Sequence, residues 1–308
     1  MKKILFATTA LVATASVAAA DVTFGGYGRF GILYQDSTAG VDGIWGNADD
    51  TGSTTDVTSR LRLIITATAE SDSGVTFGAM TRIQQGEGQT GTTNGARFFA
   101  RSGGLEVGVG HIWGALESMP GQYPVDMGLT GLGYDYTPYQ GDGYTSRGAG
   151  LSGNNGIEVM YSAGDFAAHI SATDDKALNI TRVAAYGAYT FSGWTVALAV
   201  QDSDVATDTE VSASVGGTIG PVAVGLSYTD NGTSGDRIVL SAGMDVGAAT
   251  NVEFYYAKDD NDLGATLDDD SYGIDFNHDL GGGTSLRGGV VKRFNSATQA
   301  DFGVRFNF

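Results

Sequence analysis

From Ala297 to Phe308 the chain reads A-T-Q-A-D-F-G-V-R-F-N-F, with apolar and polar residues in alternation. Phe302, Val304, Phe306 and Phe308 share one parity, and Asp301, Gly303, Arg305 and Asn307 share the other. Successive side chains of a strand point to opposite faces, so a period of two predicts an extended strand with one apolar and one polar face. A half-buried strand of a soluble sheet satisfies that pattern. So does a strand of a transmembrane barrel, which has lipid outside, water inside and an aromatic at the membrane edge. The same unit recurs along the chain as alternating segments of about ten residues separated by Gly, Asp, Ser or Asn. Strands are predicted near 22–35, 57–70, 74–84, 95–102, 104–112, 156–163, 165–173, 180–191, 193–202, 210–219, 221–230, 236–246, 250–259, 270–280, 284–294 and 298–308. That is about sixteen, an even number, as in single-chain bacterial barrels.

The connections carry a second regularity. Ser71-Asp72-Ser73, Ser102-Gly103-Gly104, Ala163-Gly164, Ser192-Gly193, Gly220-Pro221, Gly247-Ala248-Ala249 and Gly281-Gly282-Gly283 are tight. Between them lie longer polar stretches at 36–56, 85–94, 113–155, 174–179, 203–209, 231–235, 260–269 and 295–297. Short turns on one rim and long loops on the other are the signature of an up-and-down outer-membrane barrel. A β-sandwich or a β-solenoid has no need of that alternation. The expected fold is therefore all-β, a transmembrane antiparallel up-and-down β-barrel.

Parity also assigns the faces. In 57–70, Leu61, Leu63, Ile65 and Ala67 oppose Arg60, Arg62, Thr66 and Thr68. In 74–84, Val75, Phe77, Ala79 and Ile83 oppose Thr76, Gly78, Arg82 and Gln84. Phe98 and Ala100 oppose Arg97 and Arg101, and in the first strand Phe24, Phe30 and Tyr34 oppose Tyr27, Arg29 and Gln35. An Arg on the lipid face at mid-membrane costs about 2–4 kcal/mol, so these arginines are expected to point inward. Arg29, Arg60, Arg62, Arg82, Arg97 and Arg101 are six of the chain's twelve arginines. Arg287, Arg293 and Arg305 extend the set, because the last two strands must close against the first. Together they are expected to form one basic wall of a pore.

The chain opens with Lys2 and Lys3, an apolar run from Ile4 to about Val17, and Ala18, Ala19 and Ala20. A basic start, a short apolar run and small residues predict a cleaved signal peptide over 1–20, an exported protein and a barrel domain over 21–308. No later window reaches the roughly twenty apolar residues of a spanning helix. Removing 1–20 takes two lysines and no acid, so the formal charge goes from −18 to −20. That acidity argues against nucleic acid as a partner. There is no cysteine, so neither disulfides nor thiolate metal sites are available. Hydrophobic content of 42 % is too high for a disordered chain. It suits strands that show half their residues to water.

The 113–155 connection lacks a period of its own, and long loops of that kind are usually functional. It holds Trp113, Tyr123, Tyr134, Tyr136, Tyr139 and Tyr144, with the acids Glu117, Asp126, Asp135 and Asp142. Folded into a barrel wide enough for an aqueous channel, it would form a constriction. Its acids, facing the arginines across a slit, would set up a transverse field. Two further loops are acid-rich, one with Asp42, Asp49 and Asp50, the other with Asp259, Asp260 and Asp262. Neither has the spacing of a helix–loop–helix calcium site, but outward carboxylates could take structural Ca²⁺, the one cofactor considered. His111, His169 and His278 lack neighbours at metal-ligand spacing. No nucleophile elbow or phosphate loop stands out, so an enzyme is not expected.

Four stretches carry a resemblance: Asp279-Leu280-Gly281-Gly282-Gly283-Thr284-Ser285-Leu286-Arg287-Gly288-Gly289, Ser71-Asp72-Ser73-Gly74-Val75-Thr76-Phe77-Gly78-Ala79, Tyr161-Ser162-Ala163-Gly164-Asp165-Phe166, and the ending Asp301 to Phe308. Across essentially the whole mature length the chain resembles an alphaproteobacterial general porin, similar to those of purple photosynthetic bacteria. The resemblance implies a homotrimer of sixteen-stranded barrels among outer-membrane lipid and lipopolysaccharide, with the third outer loop bent into each pore. It also implies that Phe308 is an assembly signal read by the outer-membrane assembly machinery. The function expected is passive diffusion of small hydrophilic solutes and ions. The rival readings are a substrate- or anion-specific channel and a non-channel barrel, an adhesin or structural protein. Acidic mouths and a basic wall together predict weak cation preference. Small outer residues Ala67, Ala79 and Ala100 suit barrel-to-barrel contact, placing the subunit interface on the first strands.

Overall fold

The computed structural model describes residues 20–38, 48, 50–140, 156–175, 180–204, 208–260 and 269–308. Residues 1–19 of the expected signal peptide, and the candidates Asp42, Asp49, Asp142 and Asp262, lie outside the described residues. The strands in chain order are β1 (Asp21–Gln35), β2 (Thr54–Glu70), β3 (Thr76–Gly86), β4 (Thr92–Thr93), β5 (Arg97–Ser102) and β6 (Leu105–Gly110). One short helix, α1 (Ala115–Ser118), follows. Then come β7 (Gly156–Ala163), β8 (Phe166–Asp175), β9 (Ile180–Phe191), β10 (Trp194–Ser203), β11 (Glu210–Ile219) and β12 (Val222–Asp230). The last are β13 (Asp236–Asp245), β14 (Thr250–Asp259), β15 (Asp270–Gly281), β16 (Thr284–Lys292) and β17 (Thr298–Asn307).

Each strand pairs antiparallel with its sequence neighbours, and β1 pairs with both β2 and β17. The sheet closes on itself and leaves no edge. Strands β4 and β5 both pair with β3, at Ile83–Gln84 and at Thr76–Met80, so they are two pieces of one barrel strand and the barrel has sixteen staves. Between the pieces the Asn94 N–H still donates to the Arg82 carbonyl at 2.9 Å. The sixteen-stranded expectation holds; the strand predicted near 57–70 begins earlier, at Thr54.

The tight turns follow from local chemistry. At the β9–β10 hairpin, Phe191 pairs with Trp194 across Ser192 and Gly193, whose φ angles are 48° and 81°. Two positive φ values match the right-handed twist of a two-residue hairpin, and glycine takes that conformation without steric cost.

Exposure alternates along the strands in the reverse sense to a soluble sheet. In β10, Val196, Leu198 and Val200 are exposed while Ala197, Ala199 and Gln201 are buried. In β15, Tyr272 and Ile274 are exposed while Ser271 and Asp275 are buried. An apolar outer band over a polar inner parity suits a lipid surround. The buried apolar side chains form two clusters. One joins Ala115, Leu116, Met119 and Tyr139 to Ala184, Ala188, Ala197 and Ala199 of β9 and β10. The other joins Val125, Met127, Leu132 and Tyr136 to Val239, Tyr255, Ala257 and Val291 of β13, β14 and β16.

Candidate functional site

The connection from β6 to β7 supplies one side of both clusters, and its backbone shape follows from its sequence. Three of the chain's four prolines, Pro120, Pro124 and Pro138, fall within it. Proline removes a donor and fixes φ, so the segment can extend neither a helix nor a ladder. Leu132 and Tyr134 have φ of 40° and 63°, a sparsely populated conformation that persists only where surrounding contacts hold it. Irregular backbone must find hydrogen-bond partners elsewhere when buried. Barrel side chains provide them.

Ser171 of β8 accepts from the Ala115 N–H at 2.8 Å. Ser214 and Ser227, on β11 and β12, donate to the carbonyls of Pro120 and Gly121 at 2.5 and 2.8 Å. Asp275 of β15 accepts from the Gly128 N–H at 2.7 Å. Asp301 of β17 accepts three bonds, from the N–H groups of Leu129 and Thr130 and from the Thr130 hydroxyl, at 2.9, 2.7 and 2.7 Å. Arg29 of β1 donates to the Leu129 carbonyl at 2.6 Å, and Arg237 of β13 to that of Thr137 at 3.0 Å. Asn231 accepts from the Gln140 N–H at 2.7 Å. The segment is thus held by the buried parity of strands from β8 round to β1. Most of these partners escaped sequence reasoning. Asp301 was visible as an acid on a polar parity, but an alternating strand does not say what such an acid will bind.

The arginines fall into separate groups rather than one wall. Cross-strand register sets Arg305, Arg29 and Arg60 side by side on β17, β1 and β2, with Tyr27 opposite Arg62. The guanidinium carbons of Arg62 and Arg305 lie 5.3 and 4.5 Å from the Tyr27 ring centroid, and Arg60 donates to the Tyr27 hydroxyl at 3.4 Å. Arg62 Nε donates to Gln84 at 2.7 Å. Arg287 joins this group through Asp126, which it meets at 2.5 Å while Arg305 meets the same oxygen at 3.3 Å. Arg97 stands apart, buried and held by Glu158 and Glu106 at 2.5 and 2.6 Å. Arg101 lies exposed at the short-turn end of β5, 5.5 Å from the Phe99 ring. Arg82 is half-buried on β3 opposite Ile64. Arg293 clasps Asp135 with two nitrogens at 2.6 and 2.7 Å. Arg237, not singled out from the sequence, pairs with Asp259 at 2.5 Å.

The acids expected to face the arginines across a gap are partly bonded to them. Asp126 and Asp135 sit in direct ion pairs, because the turns at Gly128, Gly131 and Gly133 carry the backbone back against β15–β17 and bring both carboxylates to that wall. Glu117 is elsewhere, buried on α1, where Tyr139 and Tyr123 form a hydroxyl relay to it at 2.7 and 2.9 Å. Burial raises all three phenols, Tyr123, Tyr136 and Tyr139, above the ordinary tyrosine range, so they stay protonated donors. Beside α1, Ser118 Oγ lies 2.8 Å from His169 Nδ1, and His169 Nε2 lies 3.1 Å from Glu158. This links the segment to the buried Arg97 network.

Among the described residues no group of three or more histidines and acids is placed to hold a metal ion. Of the rim acids, Asp259 is engaged by Arg237 and by Gln140, the Asp260 carboxylate accepts from the Asp236 N–H, and Asp50 is half-buried. His111 bonds the Gly95 carbonyl and His278 the Thr250 hydroxyl. Phe308 exchanges backbone hydrogen bonds with Gly26 at 3.0 and 3.1 Å and leaves its ring exposed.

The family model described as Gram-negative porin matches residues 7–298. A porin of Fuscovulum blasticum is 32 % identical over 310 residues, covering 94 % of this chain and all of the relative. A porin of Rhodobacter capsulatus is 28 % identical over 324 residues with the same coverage. Solved structures of engineered Rh. blastica porins superpose with a TM-score of 0.78 at 29 % identity, again over 94 % of this chain and 100 % of theirs.

Proposed function

This chain belongs to the Gram-negative porin family, and from that premise we propose that the 113–140 part of its 113–155 connection, the rest of which lies outside the described residues, folds into the barrel and narrows a water-filled channel. The protein is a general diffusion porin of the outer membrane, a passive channel and not an enzyme. One observation supports the constriction above all. The backbone between Ala115 and Gln140 is bonded to buried-parity side chains of strands on several sides of a closed barrel. A chain outside the barrel could not reach them all.

In this reading the segment lines the wall from β8 round to β17 and leaves open the side bearing Arg60, Arg62 and Arg82. Solutes pass between that side and the segment. Passage is set by width and by a field running from the arginines of that side toward Glu117 and the exposed carboxylate of Asp126. The chain's acidic mouth draws cations, and the arginines offset that attraction inside. The 1–20 segment directs export, Phe308 is read by the assembly machinery before the barrel closes, and the protein works as a homotrimer packed through the outer faces of β1–β5.

Single-channel recording in planar bilayers tests the proposal. The expected result is stepwise ohmic conductance that drops in discrete steps when a cysteine at Asp126 is modified by a bulky methanethiosulfonate. The chain has no cysteine of its own, so the reagent has one target. Conductance indifferent to that modification would place the segment away from the solute path. No conductance at all would favour the adhesin or structural reading.

A further inference from the structure

We propose that Arg29, Arg60 and Arg62, arranged around Tyr27, form a binding station for phosphate-bearing solutes within the channel, an inference that rests on the porin reading above. Like charges directly opposite one another on a sheet are destabilising. Yet Arg305, Arg29 and Arg60 occupy one cross-strand row, and Arg62 sits one pair further along β2 from Arg60. Three arginines elsewhere in the barrel are neutralised: Arg97 by Glu106 and Glu158, Arg237 by Asp259, Arg293 by Asp135. Arg287 and Arg305 share a single carboxylate, Asp126. Among the described residues Arg29, Arg60 and Arg62 have no carboxylate within ion-pair distance, though Asp301 lies near enough to Arg29 to act on it electrostatically.

What they do have are neutral acceptors: the Leu129 carbonyl, the Tyr27 hydroxyl and the Gln84 side-chain oxygen. These bonds hold the guanidinium groups in place while leaving most of their charge uncompensated. A guanidinium offers five N–H donors in a fixed fork, and each of these arginines uses one. Arg62 and Arg305 both lie over the Tyr27 ring, which restrains their guanidiniums further. Fixed forks on neighbouring strands match the several oxygens of a phosphate group, one oxygen to each donor, better than they match chloride, which offers a single acceptor atom to all of them. A phosphate dianion seated there would offset the repulsion that the empty row carries. The net formal charge of −18 does not oppose this, because long-range fields are screened over about 10 Å at 0.1 M salt while contacts within the station are not.

The test is current through single reconstituted channels in potassium chloride at mildly alkaline pH, with inorganic phosphate added stepwise, and with sulfate and glucose as comparisons. The expected result is a saturable fall in chloride current with phosphate, weaker with sulfate and absent with glucose. Replacing both guanidiniums (Arg60→Gln with Arg62→Gln) should weaken the apparent affinity at least tenfold. The milder Arg62→Lys, which keeps the charge and loses the fork, should weaken it less and guards against a double variant that fails to assemble. Asp126→Asn, which frees Arg287 and Arg305, should strengthen it. Phosphate that adds to the current without saturation overturns the proposal, as does block that survives unchanged in the assembled variants. A wild-type protein silent in potassium chloride alone would instead sink the porin reading and this inference with it.

Discussion

Asp301 concentrates the attachment of the 113–140 segment in one carboxylate. It is buried, and its two oxygens accept three donors from Leu129 and Thr130. Hydrogen bonds to a charged acceptor contribute about 1.5–3 kcal/mol each, so Asp301→Asn, which turns one acceptor into a donor, should destabilise the segment's seat by about 2 kcal/mol. The expected readout is a noisier open-channel current with frequent larger sublevels, while the heat-modified electrophoretic shift of the whole barrel changes little. A quiet current of unchanged size would show that Asp301 does not hold the segment. Leu129 reads the same place by shape. Gly31 and Gly303 pair across the β1–β17 seam, and a Cβ on either would run into the Leu129 side chain. A Cβ on Gly303 would also run into the Phe30 carbonyl and the Gly31 Cα, so Gly303→Val should reproduce the Asp301→Asn noise with the charge intact and weaken the β1–β17 seam as well. At this scale the sequence was half legible. The parity of Asp301 and Arg305 follows from a period of two, but the Arg287–Asp126 pair joins residues 161 positions apart, and no local pattern encodes such a meeting.

The elements show the same division. Sixteen staves were readable because each depends on its own alternation and on the turn residues beside it, which is local information. The split of one stave into β4 and β5 was not, since the interruption at 94–96 has no mark beyond an ordinary Asn-Gly-Ala. Nor was the docking surface for α1. It is made by Ala184, Ala188, Ala197 and Ala199 on the buried parity of β9 and β10, a run of small residues that sequence inspection passes over as neutral. Those alanines make room for Leu116 and Met119. Ala199→Leu should overpack that contact at a cost of about 1–3 kcal/mol. Because the barrel ladder itself is untouched, its effect should appear as altered conductance and faster proteolysis of the 113–140 segment. An unaltered conductance would mean that α1 takes no part in shaping the channel.

For the whole molecule, charge and closure decide the behaviour. Neutralising Glu117, Asp126 and Asp135 together leaves Arg287, Arg305 and Arg293 without their carboxylates. The reversal potential in a tenfold salt gradient should then move toward anions, by an amount that shrinks as ionic strength passes about 0.1 M. A potential equal to wild type would show that these acids lie outside the solute path. Subunit packing can be read separately: cysteines at Ala67 or Ala79 should crosslink between copies, whereas cysteines near Trp194 should not, and the opposite outcome would move the interface to the other side of the barrel. Closure also has a consequence in time. The seam joins Tyr27 to Asn307, and the bonds to Asp301 span 171 and 172 residues. Contacts so distant along the chain form slowly and late. The 113–140 segment therefore waits for β15 and β17 before it can be seated. A half-built barrel thus lacks both its last wall and the partners of this segment, so the closing strands complete the seam and the segment's seat in one step.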